Sequence, residues 1–219
     1  TRQEQDAFAM RSHAKAYQAQ QEGRFDDQVA PIGSKGHQVA QDTLIRASVN
    51  PDKLKSLRPV FRKDGTITAA SSSPLTDVAS AVLLMSEDKA RELGFKPEVA
   101  LVDWSYTALD PFDQLLIGPA LAIPKLLDRH ELTLDDIDLF EINEAFAAQV
   151  LPSADAVGID LDKLNINGGA IALGHPFGMT GSRMTGLLLR QLKRTGGRYG
   201  IVTMCIGGGQ GFASLFEAC

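Results

Sequence analysis

The sequence predicts an α/β fold, a mixed β-sheet covered by helices, and three observations carry that expectation. From Val99 onward, strand-like apolar runs alternate with segments of helical period, the pattern of sheet and helix layers built around one core. Two strand-like runs, 199–205 and 211–217, close the chain with only a glycine-rich break between them. A chain of 219 residues with 44% apolar content can also bury a sizeable core.

Residues 1–22 read as an amphipathic helix, with Thr1 and Glu4 as a capping box and Phe8, Ala9, Ala14 and Ala16 as its apolar stripe. A helix opening at residue 1 suits a piece of a longer polypeptide. Residues 29–59, rich in Gln, Lys, Asp and Ser, read as an irregular excursion with short helices, one of them at 52–56. The cluster Ser71-Ser72-Ser73 before Pro74 introduces a short helix over 76–81, and the apolar run 81–85 reads as a buried strand. A strand over 99–106, a helix over 111–129, a strand over 137–142 and a helix over 144–156 follow. The long helix 180–194 stops at Gly196-Gly197 before the closing strands. No internal repeat is visible.

Composition excludes several functions. A net charge of -5 leaves no basic excess to neutralise nucleic-acid phosphates. No apolar run approaches the roughly 20 residues of a membrane span, and the polar start is no signal peptide. Two cysteines, Cys205 and Cys219, do not make a disulfide framework, so a soluble, non-secreted protein of a reducing compartment is expected. The glycines at 207–211 lack GxGxxG spacing and lead into a strand, which argues against a dinucleotide fingerprint. No glycine loop ends in Gly-Lys-Ser/Thr, so a P-loop is absent as well.

Two segments, 167–176 and 204–211, each set a proton-transfer residue among glycines, where backbone amides can approach a substrate and meet developing negative charge. That pattern points to acyl-transfer or carbanion chemistry. His175 lies between Gly174 and Pro176; one histidine of four is more often structural than catalytic, but imidazole titrates near neutrality and can take a thiol proton or donate to a carbonyl oxygen. Cys205 ends an apolar strand, where a cysteine is usually a small hydrophobe, yet a packing residue needs no glycine run after it. A thiol there can protonate a carbanion and later deprotonate another thiol. A third segment, 141–146, joins a strand-like run to a helix-like run, a usual place for a polar catalytic group; Asn143 there reads equally as a cap or turn residue.

Taken in order, NEAF at 143–146, GGAIALGHPFGMTGSR at 168–183 and CIGGGQG at 205–211 resemble the thiolases, which make or cleave the carbon–carbon bond of 3-ketoacyl-CoA thioesters. The resemblance covers nearly the whole chain. It implies the C-terminal half of the thiolase fold preceded by part of the loop domain, with residues 1–75 as a partial CoA-binding loop domain and 76–219 as the C-terminal domain. Thiolases carry a nucleophilic cysteine in their N-terminal half and nothing here matches it, so the resemblance implies a chain that needs that half and is inactive alone. It gives His175 activation of the nucleophile and a share in an oxyanion hole, Cys205 the acid–base role at the carbanion, and Gly207 an oxyanion-hole amide. Asn143 corresponds to the asparagine that holds a water donating into the first oxyanion hole, and Phe146 to the phenylalanine that lines the acyl or pantetheine path.

The run from Thr68 to Ser73 resembles the family's TAxNxS element, whose last serine contacts the pantetheine arm, which marks Ser73 and Ala69. Ser71 stands where the family usually has asparagine, and Val78 where it usually has glycine. Ile45-Arg46 and Leu57-Arg58-Pro59-Val60-Phe61 resemble the nucleotide-side elements, with Arg46 offering charge to a phosphate and Leu57 and Phe61 flanking adenine or pantetheine. A plain surface arginine is the competing reading of Arg46. The resemblance further implies acyl-CoA and CoA as substrates, no permanently bound cofactor, no metal, and assembly as a dimer or tetramer. The location implied is the cytoplasm of a bacterium, or otherwise the mitochondrial matrix or peroxisome.

The segment from Asp110 to Ala120 resembles the thiolase subunit of fatty-acid β-oxidation trifunctional complexes, which implies a degradative enzyme in a multienzyme complex. Many such subunits have histidine where Asn143 stands, so that residue points back to the general pattern. Ser182 also stands where alanine or cysteine is commoner. A rival reading is a non-catalytic CoA-binding or scaffold half, opposed by His175, Cys205 and Asn143 together. Condensing enzymes of the wider fold group use two histidines or a histidine and an asparagine, and Cys205 argues against them.

Overall fold

A computed structural model describes residues 1–34 and 36–219. In chain order the elements are α1 (Arg2–Gln21), β1 (Ile32–Ser34), β2 (His37–Val39), α2 (Pro51–Ser56), α3 (Glu87–Glu92), β3 (Val99–Ala108), α4 (Gly118–Arg129), β4 (Leu139–Ile142), α5 (Ala147–Val157), α6 (Ala170–Leu173), α7 (Phe177–Thr195), β5 (Tyr199–Cys205) and β6 (Gln210–Ala218). Short 3₁₀ turns lie at Ala69–Ser71, Leu134–Asp136 and Leu161–Lys163. The chain divides into two compact units, one of Thr1–Thr76, Glu144–Ala148 and Asn167–His175, the other of Asp77–Asn143, Gln149–Ile166 and Pro176–Cys219.

The first unit is organised by α1. Thr1 caps it through the expected capping box with Glu4. Its buried residues, Gln5, Phe8, Ala9, Ser12, His13, Ala16 and Ala19 among them, fall at helical spacing, but several are polar. Ala14, expected in the apolar stripe, is exposed, because the buried face runs through Ser12 and His13 instead. Arg2 ties α1 to α2: it pairs with Asp6 at 2.9 Å and donates to the carbonyls of Leu54 and Leu57. His13 accepts the backbone N–H of Arg46 at Nδ1, 3.3 Å away, and that bond needs a neutral ring. Burial first, and then the Arg46 charge, push its imidazole below the ordinary value.

The second unit holds a four-stranded sheet in the order β3-β6-β5-β4, with β4 and β5 parallel and the other pairs antiparallel. The expected mixed sheet covered by helices is therefore what forms. One face packs on α7: Leu139, Val202 and Phe216 cluster with Met184, Leu188 and Leu192. Gly200 lies on this face, where a Cβ would come 2.7 Å from Leu188. On the other face Ile201, Ala213 and Leu215 are fully buried, and Ser105, which pairs with Ala213, donates its hydroxyl to the Ala122 carbonyl of α4 at 2.7 Å. Gly196 ends α7 in the left-handed conformation, as its sequence indicates.

Four expectations are corrected. The helix over 76–81 and the buried strand over 81–85 do not form: residues 73–86 take up neither helix nor strand, and Leu83 and Leu84 are more than 70% exposed. Among the described residues no strand pairs with this run, and an apolar run without a ladder partner has no reason to be assigned as sheet. The Ser71 side chain instead caps the 3₁₀ turn that it ends, accepting from the Thr68 N–H at 3.0 Å. The helix expected from residue 111 starts at Gly118, after turns in which Asp110 accepts from the Phe112 N–H. The excursion at 29–59 contains a β1–β2 hairpin as well as α2, and α3 and α6 were not anticipated.

Truncation of Leu188 to alanine empties the centre of the α7 face and should cost about 2–5 kcal/mol in urea denaturation of the protein carrying this chain. A loss under about 1 kcal/mol would show that the cluster is not the core. The lowered His13 fixes a pH dependence as well. A histidine kept neutral by the fold contributes stability that is fully present above its ordinary value near 6.5 and is lost as pH falls towards the depressed folded value. Below that ordinary value the wild-type protein should lose stability more steeply than His13→Gln, read from denaturation midpoints against pH; equal slopes would remove His13 from the account.

Candidate active site

In the second unit, Asn143 and Cys205 stand at the carboxyl ends of two neighbouring parallel strands. The ladder pairs Ile142 with Thr203, and the Asn143 N–H extends it by donating to the Thr203 carbonyl at 3.0 Å. Asn143 is buried, while Cys205, two residues past Thr203, is half-buried. Carboxyl ends of adjacent parallel strands are where open α/β sheets present their reactive groups. Burial raises the Cys205 thiol above its ordinary value, so at neutral pH it is a proton donor before it is a base. Both cysteines are free thiols.

The turn after Cys205 takes three successive residues, Gly207, Gly208 and Gly209, into positive φ at 83°, 59° and 74°. Side chains at all three would be strained, and at Gly209 a Cβ would also come 2.5 Å from the Leu109 carbonyl oxygen. The turn closes through Ile206 N–H to the Gln210 carbonyl and Gln210 N–H to the Gly207 carbonyl, both 3.1 Å. Gly207 itself is exposed, with nothing within 4 Å of where a Cβ would stand.

In the first unit, His175 follows the one-turn helix α6 and Gly174, whose φ of 86° turns the chain out of that helix. The imidazole is half-buried. Ahead of α6, Glu144 is buried outright and accepts hydrogen bonds from the Ser12 hydroxyl at 2.6 Å and the Ile171 N–H at 3.1 Å. Two residues after Glu144, Phe146 pairs with Ser72 in an isolated antiparallel bridge, and the Ser73 N–H donates to the Ala145 carbonyl at 3.0 Å. Phe61 meets Phe146 edge to face at 5.6 Å. Ser73, Phe146 and Phe61, distant in sequence, thus form one patch.

A cavity of about 530 Å³ opens in the same unit, lined by His13, Arg46, Lys53, Leu57, Ala69 and Ser72 among others. It takes in three of the expected CoA-side residues, Arg46, Leu57 and Ala69, while Ser73, Phe61 and Phe146 are not part of its wall. Its ionisable lining is Arg46, Lys53 and the neutral His13, and the two cations suit an anion. Sequence reasoning missed His13 and Lys53 here, and Glu144 beside Asn143. Position on the α1 stripe could have found His13, and an acid immediately before the apolar run Ala145-Phe146-Ala147 could have found Glu144.

Residues 95–218 of the chain match the family described as thiolase, C-terminal domain, and residues 1–88 match thiolase, N-terminal domain. It is 44% identical to the 3-ketoacyl-CoA thiolase of Bacillus subtilis over all of its own length and 59% of that protein. It is 45% identical to the mitochondrial trifunctional enzyme subunit beta of Bos taurus, again over all of its own length and 50% of that protein. The chain therefore spans between half and three fifths of the length of these relatives. The crystal structure of the Bacillus anthracis acetyl-CoA acetyltransferase superposes with a TM-score of 0.94 at 45% identity, covering 100% of this chain and 56% of that one. The human mitochondrial 3-ketoacyl-CoA thiolase in complex with CoA does so at 0.91 and 39% identity, covering 100% and 55%. No helix among the described residues is long and apolar enough to cross a membrane. A family match over more than half of the residues, joined to full-length identity of this order and the same fold, means that the chain belongs to the thiolase family.

Proposed function

We propose that this chain supplies the acid–base and CoA-binding parts of an acyl-CoA C-acyltransferase, a thiolase that cleaves 3-ketoacyl-CoA to acetyl-CoA and a shortened acyl-CoA or runs the reverse Claisen condensation. The observation that carries the reading is Cys205: a half-buried thiol at a strand end beside Asn143, followed by a three-glycine turn. The names of the relatives, 3-ketoacyl-CoA thiolase and acetyl-CoA acetyltransferase, support it. In this reading residues 1–75 are the partial loop domain that takes CoA, and 76–219 form the C-terminal domain.

The reaction divides into two transfers. A cysteine thiol from the N-terminal half of the enzyme loses its proton to His175 and attacks the 3-keto carbon of the substrate. The bond between the α and β carbons breaks, leaving an acyl group on that sulfur and an acetyl-CoA enolate, which the Cys205 thiol protonates. Cys205, now a thiolate, takes the proton of a second CoA, whose sulfur displaces the acyl group; His175 returns its proton to the departing cysteine. A raised thiol suits the first of these duties, since it reaches the enolate fully protonated. Gly207 and the water held by Asn143 stabilise oxyanions, where one lost donor costs about 10²–10³ in rate.

CoA is a substrate, and Arg46 and Lys53 give its phosphates a cationic wall while Leu57, Ala69, Ser73, Phe61 and Phe146 take the less polar parts. That human thiolase was solved with CoA agrees with this assignment. The assembly is a homo-oligomer, dimer or tetramer, and the trifunctional enzyme beta subunits among the relatives favour a β-oxidation complex as its setting. The compartment is the cytoplasm of a bacterium, or the mitochondrial matrix or peroxisome.

In the full-length enzyme, Cys205→Ala should still form an acyl-enzyme, trapped and weighed by mass spectrometry, but lose deuterium exchange at the acetyl methyl of acetyl-CoA. His175→Ala should instead suppress acylation. Exchange at the unmodified rate in Cys205→Ala would return that cysteine to a packing role. Arg46→Ala should raise the KM for CoA about tenfold with kcat nearly unchanged; an unaltered KM would leave Arg46 as a surface charge.

A further inference from the structure

Three segments far apart in sequence meet at one buried carboxylate. Glu144 is fully buried, and its Oε2 takes both the Ser12 hydroxyl of α1 and the Ile171 N–H of α6, at 2.6 and 3.1 Å. The Ser12 oxygen in turn accepts the Gly169 N–H at 3.1 Å. Two amides at the start of α6 thus end on one acid–hydroxyl pair, and Gly169, the N-cap of that helix, has no side chain that could serve instead. Space enforces the arrangement as well. A Cβ at Gly169 would overlap the Glu144 carboxyl group, and a Cβ at Gly168 would come 2.5 Å from the Ser12 carbonyl oxygen.

From Ile171 the path to the imidazole is a single helical turn. Leu173 N–H bonds to the Gly169 carbonyl at 2.9 Å and Gly174 N–H to the Ala170 carbonyl at 2.8 Å, and His175 is the next residue. A helix of four residues does not hold its own shape in water, so its position comes from what grips its first turn. We infer that Glu144 is a positioning residue: with Ser12 it clamps the first turn of α6 and thereby fixes where His175 presents its imidazole. The clamp draws its strength from burial, since two donors on one carboxyl oxygen in an interior without competing water hold it firmly in place. The functional meaning rests on His175 being the acid–base group proposed above, but the clamp itself is a statement about geometry.

The test reads the imidazole and needs no turnover. In the full-length protein with ¹³Cε1-labelled histidine, the His175 signal, identified by its loss in His175→Gln, should shift or split in both Ser12→Ala and Glu144→Gln. The signals of His37 and His130 should stay where they are, which a general loosening of the fold would not allow. Hydrogen exchange at the Ile171 amide should quicken about tenfold in Ser12→Ala, as expected for loss of roughly one hydrogen bond's support. An unchanged His175 signal in both variants would overturn the inference. Should neither variant fold, exchange in the wild-type protein decides: Gly169 and Ile171 amides exchanging as fast as free loop amides would equally overturn it. Loss of thiolysis in the variants with an unmoved His175 signal would count against the clamp alone, whereas a moved signal in a protein without thiolase activity would count against the proposed function alone.

Discussion

Strand β5 is dry on both faces from Gly200 to Thr203, and that burial dictates what can happen at the sheet's end. A central strand with helices on each side admits only apolar or fully bonded side chains; Thr203 conforms by donating its hydroxyl to the Phe212 carbonyl at 2.6 Å. Burial then falls away residue by residue, through half-buried Met204 and Cys205 to exposed Ile206, Gly207 and Gly208. The thiol therefore sits where dry core gives way to solvent. Deeper in, it would be inert packing; further out, it would lose the burial that raises its pKa.

The first unit solves a different problem by a different means. Its only paired strands among the described residues are the short β1 and β2, and its segments are held by buried and part-buried polar contacts made from α1. Arg2 reaches α2, His13 takes the Arg46 amide, and Ser12 reaches Glu144 and Gly169. Polar groups in a low-dielectric interior are directional where apolar contacts are not, so they can place loops with an accuracy that hydrophobic burial alone would not give. The cost is sensitivity, since each buried donor or acceptor left unpaired is destabilising.

What was legible in the sequence follows from period and punctuation. Strands β4, β5 and β6 and the long helix α7 announced themselves because both faces of the one and a single face of the other are buried, which leaves continuous or periodic apolar runs. The run 81–85 misled for the same reason: its residues are apolar, but burial is a property of partners and not of composition. His175 after Gly174, and Cys205 just ahead of Gly207-Gly208-Gly209, stood out because close backbone approach needs glycine. Glu144 and His13 did not, since a buried polar residue looks like any exposed one until its donor from another part of the chain is known.

The single tryptophan of the chain gives β3 a further property. Trp104 lies on this edge strand of the sheet with 52% of its surface exposed, and the next residue but one, Tyr106, is exposed to a similar degree. An indole half in water emits at long wavelength, and its emission moves to shorter wavelength when a dry surface covers it. The molecule thus carries its own optical gauge of that face, with no competing indole in the chain to blur the signal. Any surface that comes to rest on β3 will announce itself in the colour of one residue's fluorescence.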